Sequence, residues 1–421
     1  MVSFITFTKQ VFLTLTLALM VQGLAIPIGD ANEGGVVKRG DGYLKIDFTI
    51  ARGSDRNSLN ITSNNGPGFL VRKGNVKRGE EQVTLINENT YYATDLTIGS
   101  NNQAVTTLLD TGSSDLWVVA KGATCEDPAE GQSSTYCYAS GVFDASTSST
   151  YKNLGTSFSI EYEDNTSSTG TWGTETVGIT SAGVSVTGLQ FGYVTKTSSS
   201  FGVLGIAKEG QESSYTEYPN LPQQLKSQGY ISKAAYSLYL SSPNASSGTL
   251  LFGGIDEDKY TGTLTTLPIV SNPYLAINLD TITVGSTSIS ASAQPVLDSG
   301  TTYTYLSSST VKKIGQALGG TANSGVGYII DCDQPTDKYI TYKFDQGATI
   351  QVPYSELPIP LYLEDGSLAD ECGLGILSTS STPILGDNFL RSAYVAYDLD
   401  DNTISIAQVQ YTTSENIVPF S

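Results

Sequence analysis

Histidine is absent from all 421 residues of this chain. That absence removes several reaction types together. A Ser-His-Asp triad and a Cys-His pair both need the imidazole as base. HExxH metalloprotease chemistry needs it as a metal ligand. Cysteine is scarce as well, four residues with no CxxC, so a zinc site has no ligands to use and no metal or cofactor is expected. Acid–base work is left mainly to carboxylates. Basic charge is also in short supply and unevenly placed. Residues 1–78 hold 10 of the 22 Lys and Arg but only 5 of the 41 Asp and Glu, leaving 12 basic against 36 acidic side chains beyond them. A body so acidic argues against nucleic-acid binding, which needs clustered Lys and Arg. Long apolar runs are missing after the N-terminus, so no membrane anchor is expected there.

What is present begins with a targeting pattern. Lys9 precedes the apolar run Val11 to Ala25, which ends in the small residues Gly23 and Ala25. This reads as a signal peptide over residues 1–25, removed on secretion. Residues 26–78 are polar and basic and carry two dibasic pairs, Lys38-Arg39 and Lys77-Arg78. Secretory processing proteases cut after such pairs, and the main cut is placed after Lys77-Arg78. A basic segment ahead of an acidic body fits a pro-segment held by charge and released when acid neutralises the carboxylates. Cys125 and Cys137 sit in the first half and Cys332 and Cys372 in the second. A secreted chain with four cysteines suggests two disulfides, and three connectivities are open, local pairing within each half being the simplest.

Glycine, serine and threonine are abundant and charge is sparse, which suits short strands and turns. Strands are expected at Tyr92 to Ile98, Val105 to Leu109, Phe158 to Tyr162, Leu238 to Leu240, Thr249 to Phe252 and Val395 to Asp398. A helix is expected at Ser309 to Leu318, where Val311, Ile314 and Leu318 share a face and Gly319-Gly320 stops it. The fold class is all-β with a few short helices.

The chain also repeats itself. Thr97-Ile98-Gly99-Ser100 precedes Leu108-Leu109-Asp110-Thr111-Gly112-Ser113, and Val203-Leu204-Gly205 follows. Thr283-Val284-Gly285-Ser286 precedes Val296-Leu297-Asp298-Ser299-Gly300-Thr301, and Ile384-Leu385-Gly386 follows. Three ordered elements recurring at a long period indicate duplication into two lobes, residues 79–260 and 261–421, with the boundary near Asp258 to Gly262. Each repeat ends an apolar strand in an aspartate, followed by hydroxyl, glycine, hydroxyl. Glycine allows close backbone approach, and hydroxyls can donate to a carboxylate. If the loops meet, two carboxylates lie side by side and share a proton. One then serves as base for a water and the other as acid for a carbonyl, which hydrolyses a peptide bond with no covalent intermediate.

At these residues the chain resembles the pepsin-like aspartic proteases, and in particular the secreted yeast group called candidapepsins, over nearly all of Gly79 to Ser421. Asp110-Thr111-Gly112-Ser113-Ser114 with Leu116-Trp117, Asp298-Ser299-Gly300-Thr301-Thr302 and Ile384-Leu385-Gly386-Asp387-Asn388-Phe389-Leu390-Arg391 carry the likeness, and Ala235 to Leu240 and Phe252 to Asp256 add to it. The resemblance implies a bilobal pepsin-like fold and Asp110 and Asp298 as the catalytic pair. It implies that Thr111 and Ser299 lock the loops together, and that Ser113 and Thr301 bond the outer carboxylate oxygens beside Gly112 and Gly300. Tyr162 would be the flap tyrosine, buttressed by Trp117, and Thr302 would join the substrate pocket. Cysteine placement supports the pairs Cys125–Cys137 and Cys332–Cys372. A secreted monomer acting on proteins and peptides is implied, with its own pro-segment as inhibitor and a dibasic-cutting protease as partner.

The flap departs from the family pattern. Glu163-Asp164-Asn165 stands where Gly-Asp-Gly or Gly-Thr-Gly is usual, which should stiffen the hairpin. The two acids are expected to let the cleft accept Lys or Arg. Asn60, Asn165 and Asn244 begin glycosylation sequons. Two other classes compete: a binding protein on the same scaffold, whose mark would be a broken Asp motif, and a carboxylate-pair glycosidase, which would favour more aromatic platforms than two tryptophans.

Overall fold

The computed structural model describes residues 42–51, 70–71, 91–126, 133–162, 166–180, 182–243, 245–271, 273–363 and 368–420. The signal peptide, both dibasic pairs, Asn60, Glu163, Asp164, Asn165 and Asn244 lie outside them.

The fold is all-β and bilobal, and a thirteen-stranded sheet runs through both lobes. One of its interior strands is Leu44–Ala51. On one side this strand pairs with Ser247–Phe252, from Leu44↔Phe252 to Thr49↔Ser247. On the other it pairs with Tyr91–Ile98, from Thr49↔Ala93 to Ala51↔Tyr91. Leu44, Ile46 and Phe48 alternate inward and are buried, and Phe48 meets Tyr92 edge to face at 5.4 Å. Beyond Ser247–Phe252 the sheet continues through Ala235–Tyr239, Ala393–Asp398, Thr403–Val409 and Tyr260–Pro268. Beyond Tyr91–Ile98 it continues through Gln103–Asp110, Gly202–Gly205, Leu116–Cys125, Val184–Thr197, Ser167–Ile179 and Lys152–Glu161.

The second half adds sheets of its own. Thr287–Ala293, Leu279–Val284, Tyr339–Phe344 and Thr349–Pro353 form one of them. Ile340, Tyr342 and Phe344 alternate into the core against Ile350 and Val352. This is the period-two pattern of a sheet with one buried face.

The expected strands are present and longer. Thr249 to Phe252 becomes Ser247–Phe252, and Phe158 to Tyr162 becomes Lys152–Glu161, whose first six residues are exposed. Exposed polar ends carry no alternation, so composition marks only the buried part. The expected helix is Ser308–Ala317, burying Val311 and Ile314. It starts a residue early because Ser307 caps it, accepting from Thr310 N at 3.3 Å. Gly319, at φ +76°, ends it. A second helix, Leu221–Ser227, was not foreseen.

The hairpin between Ala393–Asp398 and Thr403–Val409 carries an acidic tip that receives lysines from the first half. Lys226 reaches Asp400 at 2.8 Å, and Lys233 reaches Asp398 at 2.7 Å and Asp401 at 2.6 Å. Lys208 bonds the Asn402 side chain.

Both disulfides are local, Cys125–Cys137 with sequence separation 12 and Cys332–Cys372 with separation 40. The larger loop restrains the unfolded chain more. Replacing Cys332 and Cys372 by Ser should cost about 4 kcal/mol, and replacing Cys125 and Cys137 about 3 kcal/mol. Equilibrium denaturant unfolding of the two double variants checks the order; a larger loss from the 125–137 pair would contradict it.

Candidate active site

Each Asp motif ends a strand that pairs in parallel with the third element of its own repeat. Leu109↔Leu204 and Asp110↔Gly205 pair in the first half, Val296↔Ile384 and Leu297↔Leu385 in the second. The duplicated sequence therefore builds two equivalent turns.

The turns interlock. Thr111 Oγ1 donates to Leu297 O at 2.8 Å, and Ser299 Oγ donates to Leu109 O at 2.9 Å. Each hydroxyl also accepts from the opposite backbone: Ser299 N to Thr111 Oγ1 at 2.9 Å and Thr111 N to Ser299 Oγ at 3.2 Å. All these groups are buried, so the reciprocal bonds fix one loop on the other.

The lock brings the carboxylates together. A methyl group added at Gly112 would sit 2.5 Å from Asp298 Oδ1, and one at Gly300 would sit 2.5 Å from Asp110 Oδ1. Only glycine leaves room there. Gly112 N donates to Asp110 Oδ1 at 2.7 Å and Gly300 N to Asp298 Oδ1 at 2.8 Å. Ser113 Oγ donates to Asp110 Oδ2, and Thr301 Oγ1 donates to Asp298 Oδ2 at 2.6 Å. Asp110 is 5% exposed and Asp298 8%. Burial first, and then the charge of Asp298, push the Asp110 carboxyl well above the usual carboxylate range, while the Ser113 and Gly112 bonds pull the other way. The pair is built to keep one proton.

Trp117 Nε1 donates to Tyr162 OH at 2.7 Å. Tyr162 leaves the outer hairpin strand, and its N donates to Thr166 O at 2.9 Å, closing the turn. Trp117 is buried with Phe158, Val119 and Tyr218. Of the remaining expected residues, Thr302 offers its carbonyl to Asn388 N at 3.2 Å.

Several polar groups escaped the sequence reading. Asp115 is buried beneath the first turn and accepts from Tyr218 OH at 2.6 Å and Ser213 N at 2.8 Å. Asp387 is buried behind the pair; burial raises its carboxyl well above the usual range, against the pull of Arg391. Arg391 itself donates through Nε and Nη2 to Glu356 at 2.8 and 2.6 Å. Apolar neighbours in sequence, Leu385 before Asp387 and Leu116 after Asp115, were the available signal that these acids are enclosed.

Two buried aspartates on interlocked, duplicated Asp-hydroxyl-Gly turns define the aspartic protease class. The eukaryotic aspartyl protease family profile matches residues 91–409, and the chain belongs to that family. Among curated relatives, secreted aspartic protease 8 of Candida albicans is 48% identical over 425 residues, 99% of each chain. Candidapepsin of Candida tropicalis is 45% identical over 419 residues, 99% of each. Secreted aspartic protease 3 of Candida albicans is 44% identical over 416 residues, covering 98% of this chain and 99% of the relative.

Proposed function

We propose that this protein is a secreted endopeptidase that hydrolyses peptide bonds in acid, with Asp110 and Asp298 activating a water between them. The observation that carries the reading is the symmetric seating of the two carboxylates. Each accepts from a glycine N–H on one oxygen and a hydroxyl on the other, across a shared lock. One shared proton gives both functions needed: the ionised partner takes a proton from water, and the protonated partner gives one to the scissile carbonyl. The resulting gem-diol collapses when the nitrogen is protonated, so the carboxylates end where they began and no bond to the protein forms. Tyr162, steadied by Trp117, is suited to lie over the bound peptide and exclude water from it. The relatives' names support secretion and proteolysis.

The chain is made as a precursor with residues 26–78 as pro-segment, cut after Lys77-Arg78 by a dibasic-cutting protease. The charge division of the sequence favours this, because a basic segment is held by an acidic body until the carboxylates take up protons. The strand Leu44–Ala51, paired on both edges with strands of the first lobe, offers the backbone part of that hold.

The test is hydrolysis of denatured globin by the chain processed at Arg78. Cleavage at acid pH that pepstatin abolishes, by a product beginning at Gly79, is the expected result. A folded, processed chain that leaves globin intact would remove the catalytic reading and favour a binding role.

A further inference from the structure

The first aspartate turn is gripped by a run of chain with no matching motif. Residues 206–218 follow the strand Gly202–Gly205 and fold back over residues 112–115. Ala207 N donates to Ser113 O at 2.8 Å, Ser114 Oγ to Lys208 O at 2.6 Å, and Ser213 N to Asp115 Oδ2 at 2.8 Å. From the middle of this run Gln211 Nε2 donates to Gly112 O at 3.0 Å. A carbonyl oxygen only accepts, so the amide must turn its NH2 group toward Gly112.

That carbonyl belongs to the peptide unit joining Gly112 to Ser113. The residues on both sides of the unit are the donors that hold Asp110, Gly112 N on Oδ1 and Ser113 Oγ on Oδ2. Holding this one peptide restrains ψ of Gly112 and φ of Ser113, the backbone on which both donors are mounted. The second turn has the same donors on Asp298, yet among the described residues no side chain bonds the Gly300 carbonyl. The two turns are therefore alike in their inner bonds and unlike in this outer one.

The contact is a poor choice for stability alone. Among the described residues, Gln211 Oε1 is buried and has no donor. An unpaired acceptor is unfavourable inside a protein, and a side chain of similar size without it would pack there at lower cost. Such local violations concentrate where geometry serves function.

We propose that Gln211 is a positioning residue for Asp110. It fixes the Gly112–Ser113 peptide, sets the direction of the Asp110 carboxylate, and makes the two aspartates inequivalent. This rests on the reading of Asp110 and Asp298 as the catalytic pair.

The test compares the wild type with Gln211→Met, Gln211→Ala and Gln211→Glu on one peptide substrate, recording kcat, KM, the pH–rate profile and thermal unfolding. Gln211→Met keeps the volume and loses the donor. Its kcat should fall about tenfold with KM nearly unchanged, because orientation and not binding is lost. Its unfolding temperature should equal or exceed that of the wild type, because the unpaired acceptor is gone. Gln211→Ala should share the kinetic loss. Gln211→Glu supplies an internal rescue. Below about pH 4 its carboxyl is protonated and can donate to Gly112 O, so activity should approach the wild type. As it ionises the donor disappears and a charge faces the carbonyl, so activity should fall on a limb that the wild type lacks. Gln211→Met with wild-type kcat and pH profile would overturn the proposal. A fall in unfolding temperature that tracks the loss of activity would do so too, since that marks a merely structural role. A wild type without peptidase activity would overturn the catalytic reading itself, and this inference with it.

Discussion

Asp298→Asn should lower kcat about a thousandfold or more while leaving the fold and peptide binding in place. The amide is the same size as the carboxyl: its oxygen can still accept from Gly300 N, and its NH2 group can donate to Thr301 Oγ1 once that hydroxyl turns, so the two contacts that seat Asp298 survive. What it cannot do is ionise or pass on a proton. The reaction needs a proton taken from water and one delivered to the carbonyl, and a single remaining carboxyl can perform only one of these at a time. Asp110→Asn should lose as much, since the two turns are linked by reciprocal bonds and their carboxylates act as one unit. Single-turnover kinetics on a labelled peptide, with circular dichroism to establish folding, measures the effect. Retention of a tenth of the wild-type rate by either folded variant would end the paired-aspartate mechanism.

The second large effect is on stability against pH. Burial and the charge of Asp298 push the Asp110 carboxyl up to about 8, from an ordinary value near 4 in the unfolded chain. The folded state thus holds a proton that the unfolded state gives up. Stability from this source is complete below about pH 4, where both states are protonated. It is lost as pH rises toward 8, by at most about 1.4 kcal/mol per pH unit for the one shared proton. Asp387, raised in the same direction by burial, adds to the slope. With no histidine in the chain, the groups that join it in this window are other carboxyls raised by burial, Asp115, Glu209 and Glu212. Thermal unfolding between pH 4 and 8 should show a steep fall for the wild type and a shallower one for Asp110→Asn and Asp387→Asn. Parallel curves for all three would assign the loss to other groups.

The two aspartate turns were legible because their chemistry is local. Aspartate, hydroxyl and glycine sit within four residues, and the duplication marks both copies. Ser308–Ala317 was legible from its apolar spacing and its terminal glycines. Leu221–Ser227 was not, since seven residues hold barely two turns of periodicity. Gln211 was hidden for a different reason. Its partner lies 99 residues away, and nothing near either residue encodes the path that brings them together. The strand Leu44–Ala51 did carry a signal, the alternation of Leu44, Ile46 and Phe48. The surrounding segment reads as removable, and a removable segment is not expected to supply an interior strand of a sheet. The flap acids Glu163 and Asp164 fall outside the described residues.

The position of Leu44–Ala51 inside the sheet bears on the life of the protein. Leu44 pairs with Phe252 and Thr49 with Ser247, so the sheet closes only after about two hundred residues have been placed between them. While the chain is continuous, the strand is tethered to its groove at a high effective concentration. A cut after Arg78 would turn the same pairing into a meeting of two molecules. The assembled sheet can outlast the cut, but a severed chain that unfolds has no tethered strand with which to rebuild it. The durability of the processed protein would then be a rate of unfolding rather than an equilibrium, set once at folding and not renewed.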